Sequence, residues 1–240
     1  MFADASAVSD APQVSVAPSD PLRLMRGLVH GLGAEVPRPR IRTGLSAIDT
    51  LLAGGLPCGA VTEIVGRTSS GRTSLAYAVM ATVTAAGELA AWIDLPDAFD
   101  PEHADAAGVR LPRLLWIRPP DARAAFCAAE HVLSAGGFRV VLLDLDAPQC
   151  ARWTAPAAVW LRLVRAAARE GAAIVTTGTQ RAAVTFAVLC LEVGRRQAAF
   201  IRRSGPSPLF AGIASAIHVR KNKLGPPDPT PARFFAAAAA

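Results

Sequence analysis

Lysine is nearly missing from this chain. Lys221 and Lys223 are the only two in 240 residues, and every other basic residue is arginine. Together with abundant alanine, this looks like genomic bias. The formal charge of +6 and a pI near 9.9 therefore fit an acidic partner such as nucleic acid without requiring one. Cysteine is scarce as well. Cys58, Cys127, Cys150 and Cys190 form no Cys-x-x-Cys pair and sit in apolar surroundings. That excludes a disulfide frame and a zinc site, and it leaves reduced core residues of an intracellular protein. The four histidines are scattered too. No apolar run reaches the roughly 18 residues a membrane span needs. The N-terminus has acids and prolines but no basic region leading into an apolar stretch, so no signal peptide is expected. There is no internal repeat. Hydrophobic residues make up 52% and charged residues 18%, enough for a substantial core.

Residues 1–19 are small, polar and proline-containing, and disorder is expected there. Asp20 caps an expected short helix with Pro21 at its first position, and "GAEVPRPR" then links 20–40 to a core domain over 41–224. Residues 225–240 read as a proline- and alanine-rich tail, barred from sheet in its proline part and helical in its alanine stretch. Inside the core, strand-like and helix-like segments alternate. Strands are expected at 60–65, 89–94, 113–118 and 139–146, and in "AAIVTT". Helices are expected at Thr73–Ala86, in "PEHADAAG", at Asp121–Ala135 and at Pro156–Glu170. The rhythm predicts an α/β fold: a mostly parallel central sheet flanked by helices. The later segments "TFAVLCLEV", "QAAFIRR" and "AIHVRKNK" read as strands joined by short turns that extend the sheet antiparallel.

The chemistry gathers at the strand ends. Gly66, Arg67, Thr68, Ser69, Ser70, Gly71, Arg72, Thr73 and Ser74 follow the phosphate-loop pattern Gly-x4-Gly-Lys-Ser/Thr, with Arg72 at the lysine position. The loop follows a strand and opens a helix. Its glycines turn backbone N–H groups inward, and the helix N-terminus adds its dipole. Arginine keeps the charge of lysine but not its compact tip. Thr73 would offer a hydroxyl to Mg²⁺, and Asp144, ending the apolar run "VVLLD", would hold the magnesium shell. The competing reading is a glycine turn that merely joins strand to helix, beside an ordinary strand-end acid.

"TGLSAIDTLLAGGLPCGAVTEIVGRTSSGRTSLAYAV", "WIDLPDAFDPEHADAAGV", "VVLLDLD" and "HVRKNKLGPP" occur in the order of the RecA recombinase core and closely resemble it, over roughly 41–146 and again 185–226. The resemblance implies a RecA-type P-loop ATPase core with weak ATP and Mg²⁺ binding. It also implies that Asp100 and His103 contact the adenine base, and that Lys221 and Lys223 reach a neighbouring subunit's nucleotide. Pro96 falls where the family has the glutamate that orients the attacking water, with Asp97 beside it. Loss of that group and of the loop lysine predicts negligible hydrolysis. The segments after Asp144 and around Gln180 and Arg181 leave little room for the family's two DNA-gripping loops. Arg181, Arg195, Arg196, Arg202, Arg203 and Arg220, with the two lysines, are candidates for one phosphate-contacting face.

A short RecA-like chain with degenerate motifs is most similar to the ImuA family, and "LPRLLWIRPPDARAAFCAAEHVLSAGGFRVVLLDL" is reminiscent of it. That resemblance implies an accessory protein of SOS-induced, error-prone translesion synthesis in the bacterial cytoplasm, at the nucleoid. Its partners would be RecA, an ImuB-type protein and, indirectly, a DnaE-type polymerase, with single-stranded DNA as a further contact and no membrane. The helix near 20–33 and Phe234 and Phe235 of the tail are candidate contact elements. An ATP-dependent, DNA-binding recombinase-like enzyme and a SulA-like division inhibitor are the competing classes.

Overall fold

The computed structural model describes residues 38–148, 154–201, 209–225 and 230–237. The expectations for the disordered N-terminus and the docking helix near 20–33 lie outside these residues, as do those for Cys150, Arg202 and Arg203.

The fold is α/β. Strand β1 (Arg40–Ile41) pairs with β2 (Leu56–Pro57) around helix α1 (Ser46–Leu51). There follow β3 (Val61–Val65), α2 (Arg72–Ala85), β4 (Leu89–Asp94), α3 (Pro101–Ala106) and β5 (Leu114–Ile117). Next come α4 (Ala122–Ala135), β6 (Phe138–Asp144), α5 (Ala157–Glu170) and β7 (Ala173–Gly178). The chain closes with β8 (Ala187–Ile201), β9 (Leu209–Asn222) and β10 (Ala232–Ala237). The main sheet runs β10-β9-β8-β3-β7-β6-β4-β5. It is parallel from β8 to β5 and antiparallel at β9 and β10.

The helices are bounded where the sequence changes chemistry. The Asp121 carboxylate accepts the Ala124 N–H at 2.7 Å and starts α4, and Gly136 at φ 71° follows its end. Asp100 does the same for α3 with the His103 N–H at 3.0 Å, with Pro101 at the first helical position. One sheet face packs Trp92, Val140 and Leu191 under α2, through Leu75, Tyr77 and Met80. The other packs Ile93, Val141 and Leu143 under α4 and α5, where Phe126 meets Trp160 edge-on at 5.0 Å. Both faces are covered, so the central strands are mostly apolar on both sides rather than alternating, with Glu63 of β3 as a buried exception. No helix among the described residues is long and apolar enough to cross a membrane.

Two expectations are corrected. "TFAVLCLEV" and "QAAFI" are not separate strands joined by a turn. From Ala187 on they belong to one strand, β8, whose first part runs parallel to β3. The chain gets from β7 to β8 by a short crossover, residues 179–186, where parallel strands ordinarily need a helix. Glu63, in the middle of β3 and fully buried, takes the helix's place. Its Oε1 accepts the N–H of Ala183 at 2.7 Å and of Val184 at 3.2 Å, and its Oε2 pairs with Arg181 Nε at 3.0 Å. The "ARFFAA" stretch is not helical but the edge strand β10, with Phe234 opposite Ser215. Ala232 and Phe234 point inward while Arg233 and Phe235 are exposed, and this period of two, fixed by pairing with β9, overrides the helix preference of alanine.

Phe234 is 9% exposed and closes the core behind α2. Phe234→Ala should lower stability by about 3 kcal/mol in urea denaturation, the cost of a large-to-small change in a core. An unchanged midpoint would mean that β10 is dispensable to the fold.

Candidate functional site

Parallel register brings the carboxyl ends of four strands together. Val65 of β3 lies beside Gly178 of β7, and Asp144 of β6 lies between Asp94 of β4 and Thr177 of β7. The loops leaving these ends enclose a cleft of about 310 Å³, lined by residues 67–74 with Trp92, Pro96, Ala98, Asp144, Asp146, Thr177 and Ile213. It lies where open α/β sheets bind ligands.

The glycine loop is held in a fixed curve. At Gly66 a Cβ would collide with the Val193 carbonyl and lie 2.7 Å from the Ser70 hydroxyl. Gly71 has φ +100°, and a Cβ there would lie 2.7 Å from Ser215 Oγ and 3.1 Å from the Phe234 ring. Neither position can carry a side chain without movement. The Gly66 N–H bonds the Gly178 carbonyl at 3.3 Å, and the Ser70 carbonyl accepts the buried Ser215 hydroxyl at 2.7 Å. The loop is therefore braced from β7 on one side and from the β9–β10 pair on the other.

Helix α2 begins directly after Gly71 with no side-chain cap and no acid in its first turn. Its first N–H groups have no carbonyl one turn behind them, and the positive end of the helix meets the cleft uncompensated. The Ser70 hydroxyl is buried and has no hydrogen-bond partner among the described residues. These features fit a phosphate group. Residues 66–74 would hold it, and Thr73 and Asp144 would supply oxygen ligands to an accompanying Mg²⁺.

Arg72 does not face the cleft as an unpaired cation. Its Nη2 lies 2.5 Å from Asp146 Oδ2, and its side chain is only 10% exposed. Asp146 accepts the Thr179 N–H through Oδ1 at 3.1 Å, and its own N–H reaches Asp144 Oδ1 at 3.2 Å. Partial burial pushes the Asp146 carboxyl up, but the Arg72 hydrogen bond and charge and the Thr179 contact outweigh it, leaving Asp146 below the usual carboxylate range. Asp144 goes the other way. Burial raises it, against the Asp146 amide, the Thr177 hydroxyl and Arg72, while the Asp94 charge adds to the rise.

The remaining expected residues divide. Pro96 lines the cleft, at the position where the resemblance places a glutamate. Asp97 turns away, exposed, to Arg118 at 3.5 Å. Asp100 is spent on capping α3. His103 lies with its ring 5.7 Å from that of Tyr77, in a neighbouring groove of about 200 Å³ shared with Ser74, Phe234 and Phe235. As a candidate partner anchor Phe234 is corrected, because it is buried in its own core, while Phe235 remains 51% exposed.

Among the described residues of the expected cationic face, Arg181, Arg220, Lys221 and Lys223 are paired within the chain. Lys221 Nζ donates to the Val184 carbonyl at 2.6 Å and Lys223 Nζ to the Thr185 carbonyl at 2.7 Å. Burial, then the charges of Lys223 and Arg181, hold Lys221 below the usual lysine range. Arg181 pairs with Glu63, and Arg220 forms an ion pair with Glu192. Arg195 and Arg196 lie within β8, and their side chains fall outside the description.

Sequence reasoning missed Asp146, Glu63 and Ser215. Two of these were signalled. Asp146 follows Asp144 by two residues in "LLDLD", the spacing that returns to one side of an extended chain. A carboxylate inside the apolar run "VTEIV" demands a buried partner. Ser215 had no such signal, because only the pairing of β9 and β10 brings it behind the loop.

Asp144 also yields a pH-dependent expectation. Its folded-state pKa lies above the unfolded one, so ionising it costs stability. That cost is absent below the unfolded pKa and complete above the folded one. Asp144→Asn, whose Oδ1 can still accept the Asp146 N–H, should raise Tm at pH 7, with the gain shrinking towards about pH 4. A lower Tm at pH 7 would show that the charge is needed for folding.

Several known proteins are similar to this chain in sequence. The chain matches the RecA N-terminal domain family over residues 26–152, more than half its length. Protein RecA of Mycobacterium marinum is 41% identical over 122 residues, which is 50% of this chain and 35% of that protein. Protein RecA of Mycolicibacterium smegmatis is 39% identical and that of Frankia alni 38%, over the same shares. Each alignment therefore spans about a third of the relative. The glycine loop at the end of β3, the acid at the end of β6 and the match across residues 26–152 place this chain in the RecA N-terminal domain family.

Proposed function

We propose that this protein is a RecA-like adaptor of the ImuA type, acting in SOS-induced error-prone translesion synthesis in the bacterial cytoplasm, at the nucleoid. In this reading it contacts RecA and an ImuB-type protein, and through the latter a DnaE-type polymerase, with single-stranded DNA as a secondary contact. One observation carries the reading. The cleft that in a RecA-type ATPase activates water is lined here by Pro96, which has no carboxylate, and its loop cation is bound to Asp146. Loss of a positioned general base typically costs about 10²–10⁴-fold in rate. What remains is a rigid scaffold with exposed docking features.

Lys221 and Lys223 are the candidate docking residues toward RecA. Each donates to a carbonyl of its own crossover, but an ammonium has three N–H donors, and two remain for a partner's phosphates. An ATP-dependent DNA-binding enzyme is the second reading, favoured by the braced loop at Gly66–Gly71. It would require the Arg72–Asp146 pair to open. A SulA-like inhibitor has less need of so complete a phosphate frame.

The test is binding to nucleotide-stabilised RecA filaments, followed by biolayer interferometry. The Lys221→Ala/Lys223→Ala double variant should bind at least about tenfold more weakly than the wild type, a modest value for two charged contacts. Equal affinity, or no association by the wild type, would remove the adaptor reading.

A further inference from the structure

We infer that Asp146 is a built-in competitor for the phosphate site: its carboxylate occupies the guanidinium of Arg72, and any phosphate ligand of the cleft must displace it. This goes beyond the adaptor role and does not depend on it.

The Arg72 side chain is 10% exposed, and a cation that deeply buried is stable only beside an anion. In a phosphate loop that anion can be the ligand. Here the chain supplies it. Asp146 Oδ2 takes Arg72 Nη2 at 2.5 Å, while its other oxygen is fixed by the Thr179 N–H at 3.1 Å. The Asp146 N–H is in turn tied to Asp144 at 3.2 Å. The carboxylate is thus positioned from the start of the crossover and from the end of β6 before any ligand arrives.

Arginine at position 72 suits this arrangement better than lysine would. Its planar fork spans the cleft to the opposite strand end and binds a carboxylate directionally, whereas an ammonium is a compact, strongly hydrated point charge. The rest of the cradle stays open to an anion: the uncapped start of α2 and the unpartnered Ser70 hydroxyl both remain. The cleft therefore has backbone donors for phosphate and a carboxylate that works against it. That carboxylate holds the arginine and adds a second negative charge beside Asp144. The ligand class is a phosphate anion, free or carried by a nucleotide.

The substitution that isolates this is Asp146→Asn, which keeps an oxygen for the Thr179 N–H and removes the charge. Binding is read by titration with a fluorescent ADP analogue and by its displacement with inorganic pyrophosphate. Thermal melts confirm that each variant is folded, and Asp146→Ser replaces any asparagine variant that is not. Loss of the competitor should tighten both ligands at least tenfold. Arg72→Ala should then change affinity less than twofold in the wild-type background, and weaken it at least tenfold in the Asp146→Asn background. Unchanged or weaker binding by both Asp146 variants, or an equal loss on Arg72→Ala in the two backgrounds, would overturn the inference. Failure of the wild type to bind RecA would leave this result untouched, so the two proposals fail separately.

Discussion

Parallel strand pairing governs this molecule. When neighbouring strands run the same way, their carboxyl ends lie along one edge, and so do the loops that leave them. The register sets Val65 beside Gly178 and places Asp144 between Asp94 and Thr177. The glycine loop, Pro96, Asp144, Asp146 and the crossover at Thr179 therefore converge, although they are far apart in the chain. The antiparallel strands β9 and β10 add support from the side. Ser215 bonds the loop's backbone and Phe234 lies against Gly71, so the strand nearest the C-terminus helps to hold the curve of a loop that begins at Gly66.

On this frame several charged groups are paired within the chain. Arg72 is bound to Asp146, Arg181 to Glu63, Arg220 to Glu192, and both lysines to carbonyls of the crossover. Glu63 holds the crossover against β3 and so makes possible a parallel connection without a helix. Most of these pairs lock one segment of the chain to another.

Much of the fold was legible in the sequence because its signals were local. Asp100–Pro101 and Asp121 mark helix starts, Gly136 and Gly171 mark helix ends, and the apolar runs around Trp92 and Leu142 mark buried strands. The glycine loop was legible as well, because Gly66, Gly71 and Thr73 sit at a spacing that backbone geometry demands. What was not legible depends on contacts distant in sequence. Ala236 and Ala237 begin a stretch that looked helical and are strand through pairing with β9, and a single continuous β8 looked like two segments because Gly194 interrupts its apolar run. In the site, Arg72 read as a substitute for lysine. Its partner Asp146 lies 74 residues away, and only the placement of β6 and the loop at one sheet edge reveals the pair.

The proposed loss of water activation rests on Pro96, which lines this cleft where the resemblance places a glutamate. Phosphate release from ATP by the purified chain, with Mg²⁺ and with and without single-stranded DNA, tests it most directly. The account predicts a rate no higher than the protein-free blank in both conditions. DNA-stimulated turnover that disappears when Asp144 is replaced by alanine would contradict it.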